Sequence, residues 1–382
     1  MKSLAGISRT LYATTLIIGA TVGIGFFGIP YTFAVAGTGV GIIFLILIAM
    51  ILLTANLLYG EIILRTHRRH QFVGYVRTYL GPWARTLSLC SYWIAFYGAI
   101  TATILVNSLF GSQILSLLGL KISPMILGVI FFAIAVALVY RGLRMVSRVD
   151  VIVFLGIVFI TVILATTSLS RIQWDNFIFL THKNWFIPFG VILFALNGVQ
   201  GIPLARELLV GSEIKLRRAI KWGTLIPTLF YLFFALMIVG MSGSRTSPEA
   251  IIGLQSVLGT WVVWAGSLLG FMTSTTIFLS MSSSFKEALT EDFGFKKPIY
   301  FLVFVLPALI FFLSGAASFI QVIGLVGGVA GSIDMILLLL MYIRAKEHGQ
   351  RVPEYSLRIP SWLIYFLLVL FFAAALYTAV VR

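Results

Sequence analysis

The stretch GATVGIGFFGIP, from Gly19 to Pro30, lies inside the first long apolar run of the chain and contains four glycines and a proline. A membrane helix normally avoids this combination, because lipid cannot replace the backbone hydrogen bonds that glycine and proline weaken. The end of the stretch occurs twice, since GFFGIP at 25–30 and GVQGIP at 198–203 share the pattern G-x-x-G-I-P. Both copies predict a helix that is interrupted inside the membrane, where glycine lets the backbone leave the helix and proline removes a donor.

The composition indicates a polytopic membrane protein. The chain has 382 residues, of which 60% are hydrophobic and 10% charged, with a mean hydropathy of +1.07, whereas a soluble domain has about 25% charged residues. Eleven apolar runs are long enough to cross a bilayer. We predict spans at 11–36, 40–64, 86–111, 123–141, 149–169, 185–207, 219–241, 255–285, 298–314, 317–344 and 361–380.

Membrane topology explains the net charge of +15. Of the 27 basic residues, 22 lie at the N-terminus and in every second loop, and those on the other side are Lys121, Arg171, Lys183, Arg245 and Arg382. The positive-inside rule then places the N-terminus in the cytoplasm and the C-terminus outside, in a plasma or inner cell membrane. We therefore expect the lipid bilayer, and no nucleic acid, as the partner of these charges.

The two copies of the motif lie in the first and sixth runs, so the two helices run in opposite directions. This predicts a single transmembrane domain over 1–382, with inverted repeats at about 11–169 and 185–344 and an extra helix at 361–380. Paired interrupted helices in inverted halves point to the binding site of a transporter. Half-helix N-termini attract a carboxylate, and freed carbonyls hold a cation or an ammonium, so a zwitterionic amino acid suits both. The alternative is that the glycines only allow close packing and the prolines only kink the helices.

Four longer stretches resemble one family of transporters. They are IGATVGIGFFGIPYTFAVAG (18–37), NLLYGEIILRTHRRHQFVGYVRTYLG (56–81), FGVILFALNGVQGIPLARELL (189–209) and FIQVIGLVGGVAGSIDMILLLLMYIRAK (319–346). They resemble the amino acid/auxin permease and hydroxy- and aromatic-amino-acid permease group, which belongs to the amino acid–polyamine–organocation superfamily. The resemblance spans nearly the whole chain.

The resemblance implies an all-α polytopic membrane protein with eleven transmembrane helices, a leucine-transporter-like five-plus-five inverted repeat and broken helices one and six. It also implies secondary active transport of amino acids, neutral or aromatic, by H⁺ or Na⁺ symport with alternating access. We expect no cofactor besides the coupling ion, and a monomer is consistent with this family. An acidic residue often follows the helix-six proline in the family. Here Leu204 follows Pro203 and the acid is Glu207, which leaves the role of Glu207 open.

The resemblance also points to candidate substrate-binding residues at the two interruptions and on helix three. They are Thr21, Gly23, Ile24, Gly25, Phe26, Tyr97, Phe194, Ala195, Asn197 and Gly198. The amides around Gly23, Ile24 and Gly25 would bind the carboxylate, so Gly25→Val is expected to abolish binding. Phe26 would face the pocket. Asn197 would bond either charged group of the substrate or, alternatively, a neighbouring helix. Tyr97 would cover the substrate, although a single ring is more often part of the core or faces lipid.

Two groups of residues are candidates for coupling an ion. In sodium-coupled relatives a hydroxyl pair of helix eight, matching Thr273 and Ser274 here, joins backbone carbonyls of helix one, here near Gly19 and Val22. Oxygen ligands suit a hard cation, but such hydroxyls equally well bond their own helix and allow close packing. For a proton the candidate is Asp334, the deepest acid of the membrane segments. The choice between H⁺ and Na⁺ stays open.

Other classes of function make different chemical demands. A membrane enzyme would need an acid–base pair, a metal cluster or an activated nucleophile, and no H-E-x-x-H motif occurs among the four histidines. We therefore expect no enzyme. A sensor or channel that binds amino acids without coupled transport would carry the same interrupted helices, and only flux against a gradient separates it from a transporter.

Overall fold

A computed structural model describes residues 2–141, 170–181, 184–287, 307–315 and 317–380, with a few positions between 156 and 167. Regular structure in these residues is helical. The α-helices are α1 (Lys2–Thr21), α2 (Ile29–Ala36), α3 (Thr38–Leu64), α4 (Phe72–Leu80), α5 (Pro82–Leu117), α6 (Pro124–Arg141), α7 (Ile187–Ala195), α8 (Gly201–Leu208), α9 (Leu216–Ser242), α10 (Gln255–Leu258), α11 (Thr260–Glu287), α12 (Phe319–Leu325), α13 (Ser332–His348) and α14 (Ser361–Val380). The predicted spans at 149–169 and 298–314 lie mostly outside the described residues.

The prediction of a multi-pass membrane protein is confirmed for the described part of the chain. Six helical segments there are long and apolar enough to cross a bilayer, and the bent pair Arg9–Thr21 and Ile24–Ala36 makes a seventh. The last span, α14, has the predicted bounds. The sixth predicted span consists of the two short helices α7 and α8, because it is interrupted. Helix α4 was not predicted, since its nine residues are too few to cross a membrane.

The buried apolar side chains form two cores. The larger core is built mainly by α1 to α4, α7 to α9 and α12 to α14, and it includes Tyr231. The smaller core is built by α5, α6, α11 and the helical residues 307–313, around Phe96. Helices α5 and α11 join the two cores, because Phe110 of α5 and Val262 of α11 belong to the larger core. The fold therefore consists of two packed cores that share two long helices, α5 and α11.

One end of the larger core is held by the segment 349–359, which we call the inner strap. Glu61 near the end of α3 has no exposed surface. Its carboxylate accepts a hydrogen bond from Arg65 Nη2 at 2.8 Å and another from the strap amide of Leu357 at 2.7 Å, while Lys346 Nζ lies 3.2 Å away. A fully buried carboxylate requires such a set of partners to stay charged. The inner strap thus ties the ends of α3 and α13 together.

The opposite end is held by the segment 173–181, the outer strap. The amide of Thr38 donates to the carbonyl of Ile178 at 2.6 Å, and the amide of Gln173 donates to the carbonyl of Gly240 at 2.9 Å. The outer strap therefore connects the α2–α3 turn to the end of α9. Each end of the larger core is closed by a loop that bonds to helix termini.

Glycines allow the region before α13 to touch α7. Residues Val326–Gly331 form a π-helix between α12 and α13. A Cβ atom on Gly327 would lie 1.9 Å from the carbonyl oxygen of Gly190, and one on Gly190 would lie 2.1 Å from the carbonyl oxygen of Gly324. No side chain fits at these positions, so backbone packs directly on backbone. The π-helix is thereby fixed against the first half of the sixth predicted span.

Gly327→Ala is expected to destabilise the purified protein by about 1–3 kcal/mol, because the added methyl group overlaps a backbone carbonyl. The matched control is Gly111→Ala in α5, where a Cβ atom would lie 3.7 Å from its nearest neighbour, an ordinary contact. The melting temperature in detergent measures both. Equal melting temperatures for the two variants would contradict the close contact between the π-helix and α7.

Candidate functional site

The first membrane helix is broken at Val22 and Gly23, where the sequence predicts an interruption. Helix α1 ends at Thr21, Gly23 is extended with φ −130° and ψ −161°, and a 3₁₀ turn over Ile24–Gly28 leads into α2. The two arms form an angle of 53°. Pro30 is the second residue of α2, where an N–H would have no helical acceptor. The break leaves carbonyls at the end of α1 without their helical donors.

The sixth predicted span is broken in the same way. Helix α7 ends at Ala195 and α8 begins at Gly201. The amide of Gly201 donates to the carbonyl of Gly198 at 3.0 Å, which forms a turn between the two half-helices. Pro203 falls in the first turn of α8, as Pro30 does in α2. Each copy of G-x-x-G-I-P therefore begins in the segment that connects two half-helices and ends in the first turn of the second half-helix.

The two breaks touch each other, and the first glycine of each motif copy makes the contact. A Cβ atom on Gly25 would lie 2.8 Å from the Cα of Ala195 and 2.9 Å from the Cδ1 of Phe194. A Cβ atom on Gly198 would lie 2.0 Å from the Oγ1 of Thr21. Thr21 precedes Gly25 by the same spacing as Phe194 precedes Gly198. The contact is reciprocal, as expected when two inverted copies of one unit meet.

A tyrosine of α9 supplies a donor to both breaks. The Tyr231 hydroxyl lies 3.0 Å from the carbonyl oxygen of Thr21 and 3.2 Å from that of Ala195, and its one proton is shared between the two acceptors. Its side chain has no exposed surface. Freed carbonyls in a membrane need a protein donor, because lipid provides none. Tyr231 was not predicted as a site residue, since nothing in the apolar sequence around it distinguishes it from the other 13 tyrosines of the chain.

Some predicted substrate residues keep a partly exposed surface at this crossing. They are Gly23 on the first broken helix and Phe194 and Asn197 on the second. Ile277 of α11 approaches from the other side, 3.6 Å from where a Cβ atom of Gly23 would lie. Tyr97 is also partly exposed, but it belongs to the rim of the smaller core, with its ring centroid 5.7 Å from that of Trp93. The partly exposed residues thus lie on both cores.

Other predicted substrate residues are enclosed. Ile24 and Phe26 are 2% and 1% exposed. The Phe26 ring, expected to face the pocket, stacks on Phe27 at 4.1 Å and packs edge-on against Phe234 at 5.1 Å. Phe26 is therefore a core residue in this structure. A valine at Gly25 would push the two broken helices apart even without substrate. Loss of binding in Gly25→Val would therefore report a disrupted fold as well as a lost binding site.

The predicted sodium ligands are not assembled in the structure. The hydroxyls of Thr273 and Ser274 each donate at 2.7 Å to the carbonyl four residues earlier in α11. Within the described residues neither hydroxyl bonds to Gly19 or Val22 of α1. This geometry is the packing alternative that the sequence left open. The sodium ligands stay a prediction.

The acidic candidates lie elsewhere. Asp334 of α13 accepts a hydrogen bond from Ser91 Oγ of α5 at 2.8 Å. Glu207 is exposed on α8, and so is Leu204, which takes the place of the family acid. Neither of these two reaches the crossing through a described contact. Within the described ranges, no three His, Cys, Asp or Glu side chains are grouped so as to hold a metal ion.

Comparison with known proteins identifies the family. The sequence model of the tryptophan/tyrosine permease family matches residues 7–379. The chain belongs to this family. A curated relative, tyrosine-specific transport system 2 of Haemophilus influenzae, is 24% identical over 238 residues, which cover 61% of this chain and 59% of the relative. The alignment thus spans less than two thirds of that relative.

A solved structure titled "Inward facing conformation of Mhp1" shares the fold. It superposes with a TM-score of 0.66 and 12% identity, over 96% of this chain and 88% of that chain. At this identity the likeness shows the fold alone. Together with the family, it confirms the predicted all-α transporter fold with broken helices one and six and the resemblance to aromatic amino acid permeases.

Tyr231→Phe is expected to destabilise the protein by about 1–3 kcal/mol, because two buried carbonyls lose their shared donor. Hydrogen–deuterium exchange should also become faster in peptides that cover the two breaks. Tyr355→Phe is the matched control, since its hydroxyl bonds the carbonyl of Leu57 at 2.8 Å, away from the breaks. The bridging role of Tyr231 would be contradicted if exchange at the breaks were unchanged in Tyr231→Phe. It would also be contradicted if exchange at the breaks became equally faster in Tyr355→Phe.

Proposed function

We propose that this permease is a secondary active transporter of aromatic amino acids that works by H⁺ or Na⁺ symport with alternating access. The observation that carries the proposal is the crossing, where two broken helices of opposite direction meet and share the Tyr231 hydroxyl. Such a crossing offers both half-helix N-termini and freed carbonyls at one place. The family and the tyrosine-specific transport system among its relatives support the aromatic substrate class.

The chemistry of the crossing suits a zwitterion with a ring. The amides around Gly23, at the start of the second half of the first broken helix, would hold the carboxylate. Asn197 would donate to the carboxylate or accept from the ammonium, because an amide side chain does both. The half-buried rings of Phe194 and Tyr97, one on each side, would pack against an aromatic side chain. A site between the two cores is where relative motion can open and close access.

Orientation follows from the charge distribution. With 22 of 27 basic residues on one side, the N-terminus and the inner strap would face the cytoplasm, and the C-terminus and the outer strap would face outside. The larger core, tied at both ends by straps, would act as one body. The smaller core would rock against it around the bound substrate. No partner besides the substrate, the ion and the lipid bilayer is required, and a monomer suffices.

Uptake by purified protein in proteoliposomes tests the proposal. Labelled tyrosine, tryptophan and leucine would be offered separately under an imposed H⁺ gradient or an imposed Na⁺ gradient. We expect tyrosine or tryptophan, but not leucine, to accumulate with one gradient and to leave again when an ionophore collapses it. Saturable binding without accumulation would favour an amino acid sensor, and equal accumulation of leucine would contradict the aromatic substrate class.

Asn197→Ala provides a test of the site. The variant is expected to weaken tyrosine or tryptophan binding about tenfold, because a hydrogen bond to a charged group contributes about 1.5 kcal/mol or more. Gln200→Ala is the matched control, an amide on the same connection whose side chain is exposed. Equilibrium binding of the labelled amino acid in detergent measures both. Equal affinity of the two variants would place the substrate away from Asn197.

A further inference from the structure

A carboxyl group lies at the centre of one membrane span. The span Phe319–His348 has 30 residues, and Asp334 is the sixteenth, so about 20 Å of helix separates it from either end. Among the described residues no cation forms an ion pair with it, and Lys346, near the end of the same helix, is engaged with Glu61. A charged acid without a counter-ion is costly in a membrane and marks a functional residue by default.

The helices around α13 present mostly neutral groups to this carboxyl. Helix α5 presents the Ser91 hydroxyl, and α3 carries the buried side chain of Tyr59, whose electrostatic surroundings include Asp334. Helix α4 places Tyr75 behind Tyr59, with their ring centroids 5.8 Å apart. Helix α14 carries no acid and no basic residue over 361–380. The carboxyl can therefore change its charge without disrupting a salt bridge.

Ser91 connects this carboxyl to the π-helix. Its Oγ lies 2.8 Å from Asp334 Oδ1 and 3.0 Å from the carbonyl oxygen of Ala330. A hydroxyl has one proton to donate. When Asp334 is charged, the Ser91 proton is drawn to the carboxylate, because a bond to a charged acceptor is stronger. When Asp334 is protonated, it becomes the donor to Ser91, and Ser91 gives its own proton wholly to Ala330.

The π-helix carries this change toward the crossing. Ala330 is one residue before its end, and the same π-helix packs through Gly327 on the backbone of α7. A Cβ atom on Gly327 would lie 2.7 Å from the amide nitrogen of Phe194, which is itself at the crossing. Packed backbone leaves little freedom for one element to move without the other. Irregular helix of this kind frequently occurs at functional sites.

We propose that Asp334 is the proton-binding site of this permease and that Ser91 relays its protonation through the π-helix to the crossing of the broken helices. The inference rests on the proposed function and deepens it, since it assigns the coupling ion and its residue. One proton joins the Asp334 carboxylate, and the Ser91 hydroxyl changes the main acceptor of its hydrogen bond. No other group is oxidised, reduced or transferred.

Further buried hydroxyl groups lie on α3 and α5, toward the predicted cytoplasmic end. The Tyr59 Oη and the Ser88 Oγ are buried and have no hydrogen-bond partner among the described residues. Ser88 lies one helical turn from Ser91 on α5. Tyr75 in turn interacts with Arg206 at the end of α8. Buried hydroxyl groups with unused hydrogen-bonding capacity are the kind of group that a proton path requires.

The experiment compares Asp334→Asn with wild type in two assays on the same proteoliposomes. One assay is exchange of labelled tyrosine or tryptophan without any gradient, and the other is accumulation driven by a pH gradient. Asparagine has the shape of the protonated acid and cannot titrate. We expect Asp334→Asn to keep exchange but to reduce accumulation to the level seen without a gradient. Glu347→Gln, an exposed acid of the same helix, is the control and should keep both activities.

Accumulation by Asp334→Asn at the wild-type level would overturn the proposal, and so would wild-type accumulation driven by a Na⁺ gradient alone. Failure of wild type in both assays would instead overturn the proposed function. In detergent with a pH indicator, tyrosine or tryptophan should cause wild type to take up protons and Asp334→Asn to take up none. Proton uptake that persists in the variant would also overturn the assignment.

A second variant decides the matter if Asp334→Asn does not fold. Ser91→Ala keeps the carboxyl but removes the relay, so the pH midpoint of substrate-induced proton uptake should shift. Ser108→Ala is the matched control, a buried serine of the same helix whose hydroxyl donates to the carbonyl of Leu105, and its midpoint should not shift. An unchanged midpoint in Ser91→Ala would overturn the relay and, with it, the proposal.

Discussion

A helix that is interrupted inside a membrane exposes peptide groups to a solvent that forms no hydrogen bonds. The arrangement around the two breaks follows from this constraint. Tyr231 donates to the carbonyls that both breaks leave free, and the turn between Gly198 and Gly201 pairs another carbonyl. The two prolines fall where a helix start needs no donor. The breaks are therefore features that the fold itself stabilises.

Close backbone contact is the second requirement of such a crossing. Gly25 and Gly198 let each broken helix touch the other, and Gly190 with Gly327 fixes the π-helix on α7. Tight contacts of this kind transmit displacement, because neither backbone can yield without moving its partner. The straps close the two ends of the larger core by hydrogen bonds to helix termini. A rigid body of this type is what a rocking motion against the smaller core requires.

Sequence patterns predicted the parts of the fold that depend on local chemistry. The bounds of α14 follow from a continuous apolar run, and the two breaks follow from glycine and proline in G-x-x-G-I-P. The parts that depend on contacts distant in the chain were not predictable. Tyr231 reaches the breaks from α9, and Ser91 meets Asp334 across more than 200 residues, without any local signature. Thr273 and Ser274 show a further limit of prediction from sequence. A threonine or serine whose hydroxyl bonds its own helix cannot be distinguished by sequence from one whose hydroxyl binds an ion.

The crossing is formed largely by the main chain, and this affects how specificity can change. Amides and carbonyls around Gly23 and Ala195 are the same whatever side chain is present, and at Gly25 and Gly198 any side chain collides with the opposite helix. If the crossing binds the amino and carboxyl groups of the substrate as proposed, their recognition is insulated from mutation. Discrimination between one amino acid side chain and another would then reside in the surrounding walls, such as Phe194 and the aromatic rim of α5. Scanning substitutions along the breaks would report on folding, whereas substitutions in the walls would alter which ring is accepted.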